Sequence, residues 1–148
     1  MSETVFVDTN VLVYVRDRSE PEKQRRAAEW MAALWDTRRG RLSIQVLQEY
    51  YLIMTRKLDP PRTPEEVRED VRSLRAWHPV VTDGGVLEEA WTVQDRYGIS
   101  WWDSLITAAA ARSGSRWLLS EDFQDGQELA GVTVISPFTR APEEILAR

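Results

Sequence analysis

Hydrophobic and polar positions alternate between two periods along this chain. Thr4-Val5-Phe6-Val7 is a β-branched and aromatic run ending at Asp8, and predicts a first buried strand. Asp8-Thr9-Asn10 can cap a helix that begins at Val11 and runs to Arg16. Pro21 suits the first turn of a second helix, in which Ala27, Ala28, Met31, Leu34 and Trp35 recur at helical spacing before Gly40. Arg41 to Ile44 reads as a brief strand. From Gln45 to Lys57, the residues Leu47, Tyr51 and Met54 then mark one helical face up to Asp59-Pro60-Pro61.

The second half repeats the alternation. Thr63-Pro64-Glu65-Glu66 combines an N-cap, a first-turn proline and a reciprocal glutamate, and predicts a helix start. Pro79 to Thr82 looks like a short strand, and Val86 to Tyr97 like a helix closed by Gly98. Ser100-Trp101-Trp102-Asp103 opens an alanine-rich helix to about Ser113. After it come a strand at Arg116–Leu119, an acidic turn at Ser120–Gly126 and a strand at Val132–Ser136. Short apolar strands between helices predict an α/β protein, a three-layer α/β/α sandwich around a mostly parallel sheet. Without linkers or repeats, one domain is expected over 1–148, with its core at about 4–136 and a short tail at 137–148.

The 148 residues include no cysteine and a single histidine, His78. Disulfide scaffolds, thiol nucleophiles and zinc sites that need cysteine or paired histidines are therefore excluded. No apolar run approaches the roughly 20 residues of a membrane span, and no basic-then-apolar leader is visible. A soluble cytoplasmic chain is the expectation. Net charge is −5, unevenly spread: residues 1–62 carry 11 basic and 9 acidic side chains, residues 63–148 carry 8 and 15. The basic part concentrates in Arg16, Arg18, Lys23, Arg25, Arg26, Arg38, Arg39 and Arg41. Such a run is either a solvated helix face or a rim that contacts phosphates, with Arg62 and Arg112 as weaker candidates for the second role.

In parallel sheets, functional groups gather beyond the carboxyl ends of strands. Asp8 and Asp122 occupy such positions. Asp103 lies in a helical first turn, and Glu49 sits among Val46, Leu52 and Ile53 on its helix. Taken singly, each has a plain structural role: a cap, a capping box, a polar turn, an amphipathic surface. Jointly, carboxylates crowded into one crevice would resist ionisation unless a cation compensated them. Oxygen donors without His or Cys suit Mg²⁺ or Mn²⁺, and an acid cluster without a nucleophile of its own points to metal-dependent phosphodiester hydrolysis.

The segments Val5-Phe6-Val7-Asp8-Thr9-Asn10, Gln45-Val46-Leu47-Gln48-Glu49, Trp102-Asp103-Ser104-Leu105-Ile106 and Leu118-Leu119-Ser120-Glu121-Asp122 resemble the four acidic motifs of PIN-domain nucleases. The resemblance is greatest to the VapC-type toxins of bacterial toxin–antitoxin pairs. It implies a Mg²⁺- or Mn²⁺-dependent endoribonuclease with an RNA substrate, a cognate antitoxin and a homodimeric state. Asp8, Glu49, Asp103 and Asp122 match the catalytic and metal-binding tetrad. Asn10 and Ser120 match its supporting polar residues, although the family often has threonine at the latter position. Arg16, Arg18, Arg25, Arg26, Arg38, Arg39 and Arg41 become the candidates for RNA contact. Glu121 and Asp125 are possible outer ligands, not essential ones. Trp101 or Trp102 could stack on a base, while most of the seven tryptophans, and His78, read as structural.

Three other functions fit parts of this pattern: a PIN-type RNA-processing nuclease without a toxin role, a non-catalytic PIN-like binding module, and a phosphatase of the haloacid dehalogenase type. The last resembles the chain only at its first strand. It needs an aspartate where Asn10 stands and a downstream lysine, and the only lysines are Lys23 and Lys57.

Overall fold

A computed structural model of the protein describes residues 3–146; positions 1, 2, 147 and 148 of the expected single domain lie outside the described residues. The centre of the structure is β1 (Val5–Val7), whose three side chains are wholly buried. A strand buried on both faces reads as continuous apolar sequence, and each such side chain contributes roughly 1.5–3 kcal/mol of burial. Parallel neighbours flank β1: β2 (Gly40–Arg41) on one side and β3 (Trp117–Leu119) on the other. Beyond β3 lie β5 (Val132–Ile135), also parallel, and β4 (Glu128–Leu129), antiparallel at the edge. The order β2-β1-β3-β5-β4 makes a mostly parallel five-stranded sheet with helices packed around it, the predicted α/β class.

The helices are α1 (Thr9–Arg16), α2 (Pro21–Thr37), α3 (Ile44–Leu52), α4 (Pro64–Leu74), α5 (Gly84–Tyr97), α6 (Trp101–Arg112) and the short α7 (Pro142–Leu146). Helix α1 packs along α2 and against α3, while α2 also meets β2 and α7. On the other arm, α5 lies along α6, and α6 touches β3 and β5. The main core runs from Phe6, Trp30 and Leu34 to Leu118 and Ile135. A smaller cluster of Val86, Ala90, Leu105 and Ala108 seals α5 onto α6. Ala108, Ala109 and Ala110 are buried, so the small side chains of α6 serve internal packing. Thr63 and Glu66 form the expected reciprocal capping box of α4.

Several elements differ from the sequence expectation. The segment at Pro79–Thr82 is no strand but a single bridge between Ser43 and Val80. Pro79 has no N–H to pair, and Asp83 immediately caps α5 through its side chain, which turns the chain away. The strand at Arg41–Ile44 shortens to Gly40–Arg41 because Ser43 is already the N-cap of α3. The helix from Gln45 to Lys57 is α-helical only to Leu52 and continues as a π-helical turn, Ile53–Lys57. Strand β4 and helix α7, the latter within the supposed tail, were not foreseen. Ala130 and Gly131, both left-handed at φ 54° and 83°, form the two-residue hairpin turn joining β4 to β5.

Candidate active site

The chain leaves β1 in one direction toward β2 and later returns to β3 on the other side. The crevice beyond the carboxyl ends of β1 and β3 is therefore the switch point of the sheet. Asp8 and Ser120 are the first residues past those two strands. Their backbones extend the ladder by one step, Asp8 N–H donating to Leu119 O (3.0 Å) and Ser120 N–H to Ile135 O (3.0 Å).

Asp8 is buried and uses both carboxylate oxygens. Oδ1 accepts from the N–H of Thr9 at 2.7 Å and so caps α1, while Oδ2 accepts from the Ser120 hydroxyl at 2.7 Å. The cap and the site residue are the same side chain. The Asn10 amide nitrogen lies 3.3 Å from Asp8 Oδ2 and 3.1 Å from Asp122 Oδ2, so one neutral donor bridges two acids. Its carbonyl oxygen accepts from the N–H of Glu121 at 3.2 Å, and Ser120 Oγ accepts from the N–H of Asp122 at 3.1 Å. Asn10 and Ser120 thus hold the loop after β3 against the start of α1.

Glu49 enters from α3. The hydroxyl of Thr9 donates to its Oε1 at 2.6 Å, and the amide of Gln45, one helical turn earlier, to its Oε2 at 3.1 Å. Asp103 stands in the first turn of α6, whose N-cap Ser100 accepts the Asp103 N–H at 3.1 Å. Asp8, Glu49, Asp103 and Asp122 all line one cavity of about 380 Å³, with Lys57 and Trp102 at its edge.

The crowding registers in the proton affinities. Burial pushes the Asp8 carboxyl up to about 6, and the negative charges of Asp122 and Glu49 add to the rise; hydrogen bonds from Ser120 and Thr9 oppose it. Asp103 is also raised, first by burial and then by Asp122 and Glu49. Among the described residues, no three Asp, Glu or His side chains form a ready-made ligand group for an ion. The donor set nevertheless fits a hard divalent cation: it is all oxygen, and the buried Asp8 and half-buried Asp103 carry an electrostatic burden that a cation would relieve. Asp8 and Asp103, with Asp122 and Glu49 beside them, are the groups that would hold it.

The other singled-out residues are placed elsewhere. Glu121 turns outward to Lys23 (2.5 Å) and the Tyr14 hydroxyl (2.6 Å); these bonds hold its carboxyl below the ordinary range against the opposing effect of burial. Asp125 accepts from the Ser136 N–H at 2.8 Å. The arginines do not converge on the acids. Arg16 forks onto Asp70, Arg25 pairs with Glu22 and Glu29, and Arg26 donates to Phe138 O. Arg18 lines a separate hollow with Arg16 and Arg62. Arg38, Arg39 and Arg41 surround the start of β2, which runs parallel to β1, and so lie at the opposite end of the sheet from Asp8. Arg112 pairs with Asp83 and Glu89.

Thr9, Gln45 and Lys57 are site-lining or site-bonding residues that sequence reasoning did not pick out. Gln45 had a usable signal, its place four residues before Glu49. Lys57 had none, because its approach depends on the π turn.

An α/β/α protein with four acids in a crevice at its sheet's switch point is thereby defined. A PIN domain profile matches residues 5–126, and the chain belongs to the PIN domain family. No curated protein matches it significantly. Solved structures share the fold at low identity. A toxin–antitoxin complex from Klebsiella pneumoniae superposes with a TM-score of 0.57 at 15% identity, over 90% of this chain and 98% of that one. VapBC2 from Rickettsia felis, bound to a DNA fragment from its promoter, gives 0.59 at 11% identity, with the same 90% and 98% coverage. VapC20 from Mycobacterium tuberculosis, a toxin that cleaves the sarcin–ricin loop, gives 0.53 at 17% identity, over 78% and 87%. Among the described residues, no helix is long and apolar enough to cross a membrane.

Proposed function

We propose that this PIN domain is an Mg²⁺- or Mn²⁺-dependent endoribonuclease and the toxin of a toxin–antitoxin pair. The observation that carries the reading is the meeting of Asp8, Glu49, Asp103 and Asp122 in one cavity, drawn from four separate stretches of chain. The toxin assignment is supported by the structural neighbours: a toxin–antitoxin complex, VapBC2 bound to promoter DNA, and a toxin that cleaves the sarcin–ricin loop.

A bound divalent ion supplies Lewis acidity, activating water and neutralising charge on the phosphate in transfer. The chain's own part is to place oxygen donors and to orient the attacking water. Asp8 and Asp103 hold the ion, and Asp122 completes or orients the set. Glu49, fixed by Thr9 and Gln45, receives the proton of the attacking water or helps hold a second ion. Asn10 and Ser120 keep the Asp8 and Asp122 carboxylates in register. A cognate antitoxin and a second copy of the chain are the partners this reading carries with it.

The test is purified, antitoxin-free protein incubated with structured RNAs and Mg²⁺ or Mn²⁺, beside Asp8→Asn and Asp103→Asn. Cleavage is expected from the wild type and its loss from both variants. Cleavage indifferent to both substitutions would refute the assignment. A short adjacent gene for a DNA-binding protein that co-purifies with this chain is the expected genetic companion.

A further inference from the structure

Tryptophan buries a large area, so each exposed ring calls for an explanation. Three are substantially exposed: Trp35 at 42%, Trp91 at 47% and Trp102 at 62%. Two of these have aromatic partners. Trp35 packs on Trp77 at 5.1 Å between centroids, and Trp91 stacks on Trp101 at 6.3 Å with planes only 25° apart. Trp101 is thereby committed to the packing of α5 on α6. Trp102 has no aromatic neighbour among the described residues. It lies on the edge of the acidic cavity, next in sequence to Asp103.

The same cavity is lined by Lys57, the one basic residue of its lining and without an ion-pair partner among the described residues. The π-helical turn Ile53–Lys57 brings it there, a departure from α-helical geometry often found at functional sites. Lys57 shares the cavity with four acids, and among the described residues it pairs with none of them. It is available to an incoming anion. The cavity volume of about 380 Å³ falls in the range of small-ligand pockets, roughly 300–1,000 Å³, rather than that of an extended protein groove. An aromatic face, a cation and a phosphate-hydrolysing acid cluster on one such cavity match the three parts of a nucleotide chain: base, flanking phosphate and scissile phosphate.

Resting on the nuclease reading, we propose that Trp102 and Lys57 form a subsite for one unpaired nucleotide adjacent to the cleaved bond. Trp102 stacks on its base and Lys57 contacts a phosphate oxygen. A base in a duplex has no free face to offer, so the subsite restricts the substrate to single-stranded or looped RNA. Stacking is tolerant of base identity; the subsite selects for an unpaired base and leaves the recognised sequence to other contacts.

The test is steady-state cleavage with Mg²⁺ of a single-stranded RNA oligonucleotide, of the same strand annealed to its complement, and of the same strand carrying an abasic ribose beside the cut bond. Trp102→Ala is expected to raise KM for the single strand by about 5- to 100-fold, with Trp102→Phe recovering most of it. On the abasic strand the wild type and Trp102→Ala should be equal. Lys57→Ala should flatten the slope of log affinity against log salt by about 0.7. Equal kinetics of Trp102→Ala and wild type on the intact strand would overturn the proposal. So would an equal loss on the abasic strand, efficient cleavage of the duplex, or a drop in molar mass on sedimentation that assigns Trp102 to a contact between copies. If the wild type itself cleaves nothing, the nuclease reading falls first, which separates the two failures.

Discussion

The hydroxyl of Ser120 lies 2.7 Å from Oδ2 of Asp8, although 112 positions separate the two in sequence. Both follow directly on adjacent parallel strands, so the register of β1 against β3 sets this distance and orients the deepest acid of the site. Ser120 is fully buried and also accepts from the N–H of Asp122.

Removing that hydroxyl strips a buried carboxylate of its shortest side-chain donor. Ser120→Ala is expected to destabilise the protein at pH 8 by about 1–3 kcal/mol, read as a lower urea midpoint with unchanged slope. It should also raise the proton affinity of Asp8 further, since the Ser120 bond is the larger of the two that oppose burial. An unaltered midpoint would show that the bond contributes nothing net.

The metal-free protein should lose stability with rising pH. Asp8 titrates at about 6 in the folded state and near 3.8 when unfolded, so folding favours its protonated form. That contribution is fully present below about pH 4 and is lost as pH rises through 6. The rise from 3.8 to about 6 corresponds to at most about 3 kcal/mol, of which about half remains at pH 5 and almost none at pH 8. Urea unfolding in EDTA at pH 5 and pH 8 measures that remaining half. Asp8→Asn should narrow the difference between the two pH values and be the more stable protein at pH 8.

Divalent ions held by these carboxylates should act in the opposite sense at pH 8. Saturating Mg²⁺ or Mn²⁺, at about 100 times its dissociation constant, is expected to stabilise the wild type by about 2.7 kcal/mol through mass action. A thermal melt with and without the ion shows this as a rise in Tm. Asp103→Asn should remove most of the rise. A Tm insensitive to both ions would leave the four acids without a metal.

Away from the site, Gly40 sits under the Trp77 ring at the start of β2, and a β-carbon there would overlap the ring atoms. Trp77 is itself buried and braced by Trp35, so it has little room to withdraw. Gly40→Ala should cost about 1–3 kcal/mol by overpacking. Chemical denaturation checks it, and a neutral substitution would mean that the ring swings aside.

Where neighbours in sequence are also neighbours in space, the chain was readable. The Thr63–Glu66 box, the cap at Asp8 and the apolar run Val5–Val7 are local signals, and each appears in the fold at its expected place. Edge features were not readable. Ala130-Gly131 lacks the Asn-Gly or Asp-Gly signature of a tight hairpin, so β4 escaped notice. Val80 has the composition of a strand residue but too short a straight path for more than one bridge. Charge in sequence was a poor guide to charge in space: the arginines of residues 16–41 spread over several surfaces, because helix phase and strand direction send neighbours apart.

The amino-acid sequence alone determined the alternation of strands and helices and the oxygen-only character of the donors, because periodicity, capping and residue type are local properties. Tertiary structure decided which groups share a cavity. Parallel strand register put Asp8 beside Ser120, a π turn ends on Lys57 in the lining of the acidic cavity, and the packing of α5 on α6 engaged Trp101 while leaving Trp102 exposed. Each of those outcomes depends on contacts between residues far apart in the chain, which no local pattern encodes.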